Sequence, residues 1–247
     1  MTVAVVTGGT RGVGAGIARA FQRAGADVVI CARRPPGEPV GDARFLPLDV
    51  RDAGACEELC GRVAAEHGGL DVLVNNAGGT GFRLAAEGEA ARHARVVELN
   101  LIAPLVMSRA AYAVMRGQSG GGSIVMIGSV SGSRPSPGTA AYGAAKAGLA
   151  HLARCLAVEW APRVRVNTVV LGMVRTELAH LHYGDEAGVA AVAGTVPLGR
   201  LAEPEEVGEA CVFLASERAR YVSGAALELH GGGEQPAFLG AATVERG

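Results

Sequence analysis

The chain has 247 residues, of which 49% are hydrophobic, and its 23 basic and 24 acidic residues leave a formal net charge of −1. This length and apolar content suffice for one domain with a sizeable core, and the balanced charge lacks the basic footprint typical of nucleic-acid binding. The five cysteines show neither metal-site spacing nor the density of a disulfide framework, which favours a reducing compartment. No basic leader segment and no apolar run of membrane-spanning length stand out, so we expect a cytoplasmic protein without membrane contact.

Apolar, strand-like runs alternate with helical patterns up to about residue 230. This alternation predicts a single α/β domain over residues 1–247, of the Rossmann type, with a doubly wound parallel sheet and helices on both faces. The seven predicted strands are residues 2–6, 27–31, 44–48, 70–75, 123–127, 164–170 and 226–229. The clearest predicted helices are residues 14–24, 53–66, 90–115, 139–160 and 204–214. The long connection before the last helix, about residues 173–203, is predicted to be a substrate lid.

A glycine-rich turn, residues 7–14, follows the first predicted strand and opens the first predicted helix. Glycines at such a turn let backbone N–H groups approach a pyrophosphate at the positive end of a helix. The alternative is a tight turn without a ligand. The predicted cofactor contacts in this turn are Gly8, Thr10, Arg11, Gly12, Val13 and Gly14.

The end of the second predicted strand reads Cys31-Ala32-Arg33-Arg34, and no acidic residue follows until Glu38. A site for NAD normally places an acid there to bind the ribose hydroxyls, whereas guanidinium groups bind a 2′-phosphate. Arg33 and Arg34, with Arg11 nearby, therefore predict a preference for NADPH over NADH. The alternative is a solvated basic turn.

Two further segments end predicted strands at the edge where open α/β sheets bind ligands. In the first, Asp49 and Val50 are predicted to contact the adenine, with Asp49 accepting from its amino group. In the second, Asn76, Ala77 and Gly78 leave room for a flat ring near the backbone. The alternatives are a helix N-cap at Asp49 and a simple turn at residues 75–76.

Tyr142 and Lys146 stand four residues apart in the predicted helix 139–160, so one helical face should carry both. A neighbouring ammonium group is expected to lower the pKa of the phenol, which suits proton transfer near neutral pH. Ser129, at the end of a predicted strand, could add a hydroxyl to the same place. The alternative is an ordinary pair on a helix surface.

In their order and spacing, residues 7–14, residues 75–78, Ser129 and the Tyr142-x-x-x-Lys146 pair resemble the short-chain dehydrogenase/reductase family, from residue 2 to about 233. The resemblance implies a cofactor bound over the carboxyl edge of a seven-stranded sheet. It also implies that Tyr142 is the general acid/base, that Lys146 holds the nicotinamide ribose, and that Ser129 binds the substrate oxygen. Asn100 matches the family's fourth catalytic position, where it supports a water.

The resemblance extends beyond the sixth predicted strand, where the family has contacts to the nicotinamide carboxamide. Gly172, Val174 and Thr176 match these positions, although Leu171 replaces the usual proline. Small residues on the predicted helices 90–115 and 139–160, together with the resemblance, predict a homo-oligomer, most simply a tetramer.

These residues predict NADPH-dependent reduction of a small-molecule ketone or 3-oxoacyl compound to a secondary alcohol. An NAD-dependent dehydrogenase of a secondary alcohol, hydroxyacyl or steroid-like, is the alternative with the same residues. A non-catalytic, nucleotide-sensing protein is the alternative from another class. No metal is predicted, since His180 and His182 lack companion ligands.

Overall fold

The computed structural model of the chain describes residues 2–237, 241 and 243. Its centre is a seven-stranded parallel sheet in the order β3-β2-β1-β4-β5-β6-β7, which confirms the predicted fold class. The predicted domain spans residues 1–247. Residues 1, 238–240, 242 and 244–247 of it lie outside the described residues. The strands are β1 Val3–Thr7, β2 Asp27–Ala32, β3 Arg44–Pro47, β4 Val72–Asn75, β5 Gly122–Ser129, β6 Val164–Leu171 and β7 Ala226–Leu229.

The strand order reverses its direction of growth between β1 and β4, which are neighbours in the sheet. Chain segments leaving these two strands turn away from each other, and this opens a crevice at their carboxyl ends. The central strands are buried on both faces, as their continuous apolar sequences predict. The candidate site is therefore placed by the sheet topology itself.

Helices cover both faces of the sheet. Ile17 and Phe21 of α1 share one hydrophobic cluster with Val207 and Leu214 of α8, and the other face is covered by α2, α4 and α5. The helices are α1 Gly12–Arg23, α2 Ala53–His67, α3 Ala90–Val97, α4 Ala103–Met115, α5 Ala140–Glu159, α6 His180–Tyr183, α7 Glu186–Ala193 and α8 Pro204–Ala215.

The predicted helix 90–115 is not one regular α-helix, because a π-helical turn, Glu98–Ile102, separates α3 from α4. The whole run Ala90–Met115 is long and apolar enough by length and composition to cross a membrane, which corrects the expectation that no such run exists. Its residues Met107, Ala111 and Met115 are buried against the sheet. Core helices of soluble proteins have the same length and composition.

The predicted lid between β6 and α8 contains the two short helices α6 and α7. Its two ends are neighbours, because Val174 and Ala202 form a parallel bridge and the Ala202 N–H donates to the Met173 carbonyl at 3.0 Å. Helix α8 then begins with Pro204 inside a capping box formed by Glu203 and Glu206. The lid therefore leaves the body of the domain at Val174 and returns beside it at Ala202.

Candidate active site

A cleft of about 720 Å³ opens along the carboxyl edge of the sheet, over the crevice between β1 and β4. Segments from β1 to β6 and from the lid line it. The predicted residues along it are Gly8, Thr10, Arg11, Gly12, Val13, Gly14, Arg33, Asp49, Val50, Asn76, Ala77, Gly78, Ser129, Tyr142, Lys146, Gly172, Val174 and Thr176. One elongated cleft therefore brings together nearly the whole predicted set.

The glycine turn is compact because its residues touch each other and the loop after β4. Gly8 and Gly12 have φ values of 64° and 50°, which favour glycine. A Cβ atom on Gly14 would lie 2.2 Å from the Gly8 carbonyl oxygen and 2.5 Å from the Asn76 side-chain nitrogen. Any larger residue at position 14 would push apart the turn that starts α1, where backbone N–H groups face the cleft.

Four hydrogen bonds join this turn to the loop after β4. The Thr7 hydroxyl oxygen accepts from the backbone N–H groups of Asn76 at 3.0 Å and Ala77 at 2.9 Å. In return, the Asn76 side-chain amide donates to the carbonyls of Thr7 at 2.9 Å and Gly8 at 3.2 Å. The structure thus gives Asn76 a supporting position in the floor of the cleft.

Charged residues gather at one end of the cleft, next to β2 and β3. Arg51 donates to Asp49 through Nε at 2.9 Å and Nη2 at 2.6 Å, and this contact, reinforced by Arg33, lowers the pKa of Asp49 to about 2. Asp49 is therefore a carboxylate at neutral pH. Arg33 lines the cleft, but Arg34 is exposed and, within the described part of the chain, is not among the lining residues. Arg34 therefore does not line the cleft in this structure, where Arg51 joins Arg33, and its contact with the cofactor stays a prediction.

Helix α5 places Tyr142 and Lys146 on one face at the other end of the cleft. The Lys146 Nζ atom lies 5.6 Å from the centroid of the Tyr142 ring and donates to the Ile127 carbonyl at 2.7 Å. Only 5% of Lys146 is exposed, and this burial lowers the pKa of its ammonium group to about 8. The predicted pairing on one helix face is present.

The predicted lowering of the Tyr142 pKa is wrong for this structure, because burial raises that pKa. A hydrogen bond with Ser129 acts in the opposite direction but is the smaller effect. Lys146 points its Nζ atom at the Ile127 carbonyl instead of the phenol. Tyr142 is therefore a neutral phenol at pH 7.

Ser129 ends β5 and is held by the segment that follows it. Its Oγ accepts from the Ser131 N–H at 3.2 Å and caps the 3-10 helix Val130–Gly132. That helix packs directly on α5, because a Cβ atom on Gly132 would lie 2.7 Å from the Ala147 nitrogen. This close approach holds the Ser129 hydroxyl next to the phenol of Tyr142.

Asn100 lies in the π-helical turn and is fully buried. Its side chain donates to the carbonyls of Val96 at 2.9 Å and Gly79 at 3.0 Å, and it accepts from the Gly79 N–H at 2.9 Å. A Cβ atom on Gly78 would lie 2.6 Å from Asn100 Oδ1. Asn100 therefore holds the loop after β4 in place beneath the cleft. The side chain of Asn100 is not part of the described lining of the cleft.

Arg51, Val96 and Leu99 line the cleft and were not predicted to do so. Arg92 and Arg95 also line it, and the predicted lid contributes Glu177, Leu178 and His182. Among the described residues, no group of three or more His, Cys, Asp or Glu side chains could hold a metal ion. His182 faces the cleft, whereas His180 is exposed and its Nδ1 lies 3.0 Å from the Glu177 carbonyl oxygen.

Comparison with known proteins agrees with this geometry. A family model described as enoyl-(acyl carrier protein) reductase matches residues 8–234. Cis-4-hydroxycyclohexanecarboxylate dehydrogenase of Sinomonas cyclohexanicum is 39% identical over 93% of this chain and 95% of its own length. The 3-oxoacyl-(acyl-carrier-protein) reductase of Vibrio cholerae is 36% identical over 93% of this chain and 96% of its own length.

Solved structures give the same result. Aldohexose dehydrogenase of Thermoplasma acidophilum superposes with a TM-score of 0.89 at 28% identity, covering 100% of this chain and 97% of the other. A short-chain dehydrogenase/reductase family protein superposes with a TM-score of 0.83 at 37% identity, covering 94% and 97%. On its sequence, fold and site geometry, the chain belongs to the short-chain dehydrogenase/reductase family, whose members are NAD(P)-dependent oxidoreductases acting on CH–OH and C=O groups.

Proposed function

We propose that this enzyme uses NADPH to reduce a ketone or 3-oxoacyl compound to a secondary alcohol. The observation that supports this most is the division of one cleft into a phosphate-binding end and a proton-donating end. Arg11, Arg33 and Arg51 line the first end, and Ser129 and Tyr142 line the second. A dinucleotide matches the chemistry of such a cleft.

The residues at hand fit the cofactor. The glycine turn would hold the pyrophosphate at the start of α1, and Asp49 with Val50 would hold the adenine. Arg33 would bind the 2′-phosphate, and Lys146 the nicotinamide ribose. The chemistry that the cofactor supplies is a hydride for the carbonyl carbon.

The side chains at the other end of the cleft then handle the charge that develops on the carbonyl oxygen. The Ser129 hydroxyl would hold this oxygen by a hydrogen bond, and Tyr142 would give it a proton. A phenol whose pKa is raised by burial stays protonated at neutral pH, which suits an acid. Lys146 would retain a positive charge near pH 7 and favour the phenolate that remains after proton transfer.

The comparisons support this choice of reaction. Relatives named 3-oxoacyl reductases favour reduction of a carbonyl group, although the matching family model is described as an enoyl reductase. The reverse reaction, oxidation of a secondary alcohol with NAD, is the second candidate, favoured by relatives named as dehydrogenases of a hydroxy acid and of an aldohexose. We also place the enzyme in the cytoplasm, in keeping with its buried helix residues and reduced cysteines.

The Tyr142→Phe variant should keep its affinity for NADPH and lose nearly all turnover, since it lacks only the proton donor. The measurement combines a cofactor titration with an assay of ketone reduction. A variant that retains activity within about tenfold of the wild type, equivalent to about 1.4 kcal/mol of barrier, would show that Tyr142 is not the acid.

The Arg33→Ala variant should weaken NADPH binding by roughly 10-fold or more and leave NADH binding nearly unchanged, because only NADPH carries the 2′-phosphate. Arg34→Ala is the matched control, because the Arg34 side chain is exposed and lies outside the described lining of the cleft. This variant should bind both cofactors like the wild type. Calorimetry measures all affinities. Equal or tighter binding of NADH by the wild type would contradict the proposed preference.

The Lys146→Met variant should be more stable than the wild type at pH 7, by roughly 2 kcal/mol after loss of the Ile127 hydrogen bond is included. Burial lowers the pKa of Lys146 from 10.5 to about 8. Below pH 8 the charged lysine therefore destabilises the folded state relative to the unfolded state. The wild type regains this free energy, about 3.4 kcal/mol, as pH rises from 8 to 10.5, so the difference should shrink and then reverse, leaving the variant less stable by about the value of the lost Ile127 hydrogen bond. Denaturant unfolding at several pH values measures it, and a pH-independent loss of stability would refute the argument.

We also propose a homo-oligomer, most simply a tetramer. Large apolar residues such as Val158 on α5 are exposed, at 80%, and the edge strand β7 is exposed along most of its length. Apolar surface and an open sheet edge are features that association covers. Light scattering at micromolar concentration should give a multiple of the chain mass, and a monomer would contradict the proposal.

A further inference from the structure

Residues 230–235, here called the strap, run along the returning end of the lid. The Leu198 N–H donates to the Gly231 carbonyl at 3.1 Å, and the Gln235 N–H donates to the Thr195 carbonyl at 3.0 Å. A Cβ atom on Gly231 would lie 2.6 Å from the Val196 side chain, so the two segments are in close contact. The strap and the lid therefore form one wall.

The strap also reaches the segment that follows Ser129. Glu234 Oε1 lies 2.5 Å from Arg134 Nη2, which joins residues 100 positions apart in the chain. The Arg134 N–H donates to the Val130 carbonyl, and its Nη1 donates to the Pro135 carbonyl at 3.1 Å. Among the hydrogen bonds between described residues, the contact of Arg134 with Glu234 is the one that joins the strap to residues 130–138.

This ion pair lies next to the reacting end of the cleft. Tyr183 ends α6, directly after His182, which lines the cleft. Besides burial, Glu234 raises and Arg134 lowers the pKa of Tyr183, and Tyr183 in turn raises the pKa of Tyr142. The Arg134 N–H donates to the Val130 carbonyl at 3.0 Å, so Arg134 stands about one turn after Ser129, which lines the cleft, and the ion pair lies beside that end.

We propose that the Arg134–Glu234 ion pair closes the substrate end of the cleft and limits the length of the group that a ketone can carry beyond its carbonyl. The inference rests on the proposed function, because it requires the carbonyl between Ser129 and Tyr142. Arg134 and Glu234 are positioning residues, since they act by holding the strap and residues 130–138 together.

The effect on specificity should exceed the effect on stability. The side chains of Arg134 and Glu234 are 39% and 33% exposed, and ion pairs so open to water add little to folding. Opening the wall, however, changes which substrates fit, and each methylene admitted to or excluded from a pocket alters kcat/KM measurably.

The test uses the full-length enzyme with NADPH and homologous methyl ketones of increasing chain length. Arg134→Gln and Glu234→Gln should each shift the kcat/KM profile toward longer ketones by about fivefold or more relative to short ones. The exchanged variant, Arg134→Glu with Glu234→Arg, should return the profile toward the wild type. NADPH affinity and melting temperature should stay unchanged in all three.

The matched control is Arg175→Gln, which breaks another exposed ion pair of the lid, with Glu186 at 3.2 Å, and should keep the wild-type profile. The proposal is overturned if the single variants change kcat/KM by one common factor for every ketone, or if the exchanged variant restores nothing. It is also overturned if Arg134→Gln impairs only ketones that bear a carboxylate, because Arg134 would then bind the substrate itself.

A second measurement separates this inference from the proposed function. Hydrogen exchange of the Gln235 and Leu198 amides should be faster in both single variants and should slow again in the exchanged variant. This readout needs no turnover, so a wild type that reduces no ketone would refute the proposed function alone. If the hydrogen-exchange rates of these two amides are unchanged in the single variants, the proposal that the ion pair closes the cleft is refuted.

Discussion

The candidate site depends on the hydrogen bonds that join the glycine turn to the loop after β4. Thr7 and Asn76 exchange donors and acceptors across the point where the sheet order reverses. These contacts continue the pairing of β1 with β4, which ends at Val6 and Val74, into the two loops that follow. They make one floor from two loops, and residues that face a cofactor need such support.

Helix α5 carries a second constraint, since it buries an ammonium group beside a phenol. Burial opposes charge on both groups: it lowers the pKa of Lys146 and raises the pKa of Tyr142. The Ile127 carbonyl accepts from the lysine ammonium group, and the nearby Ser129 hydroxyl lowers the pKa of the tyrosine, against the larger effect of burial. A site of this kind gives up stability for chemistry, as functional sites often do.

Much of the fold could be predicted because the central strands are buried on both faces and therefore read as apolar runs. The helix break at Glu98–Ile102 was not predicted, although Pro104 stands just after it and has no N–H to donate to the Asn100 carbonyl. The bonds of Asn100 to Gly79, which accompany the break, cannot be read from the sequence. Arg33 and Arg34 are adjacent in sequence, and only the backbone direction at the end of β2 decides which one faces the cleft. Arg51 belongs to no motif, so its position in the cleft could not be predicted from the sequence. It follows from the contact of Arg51 with Asp49 in the folded chain.

The error about Tyr142 has a similar origin. The spacing of Tyr142 and Lys146 gave their common helix face, but it contained nothing about the burial that dominates both pKa values. The tie between Arg134 and Glu234 is likewise invisible locally, because its partners lie at opposite ends of the second half of the chain. Sequence patterns of this length report elements and motifs, whereas long-range polar contacts depend on the assembled fold.

The bridge between Val174 and Ala202 has a consequence for how this protein can diverge. Because the chain leaves β6 and returns to α8 at neighbouring points, the intervening residues form a cassette whose closure entropy depends only weakly on its length. Insertions, deletions or exchanges after Thr176 and before Ala202 would leave the sheet and the glycine turn in place. Selection could therefore change what the enzyme accepts without rebuilding the part that holds the dinucleotide.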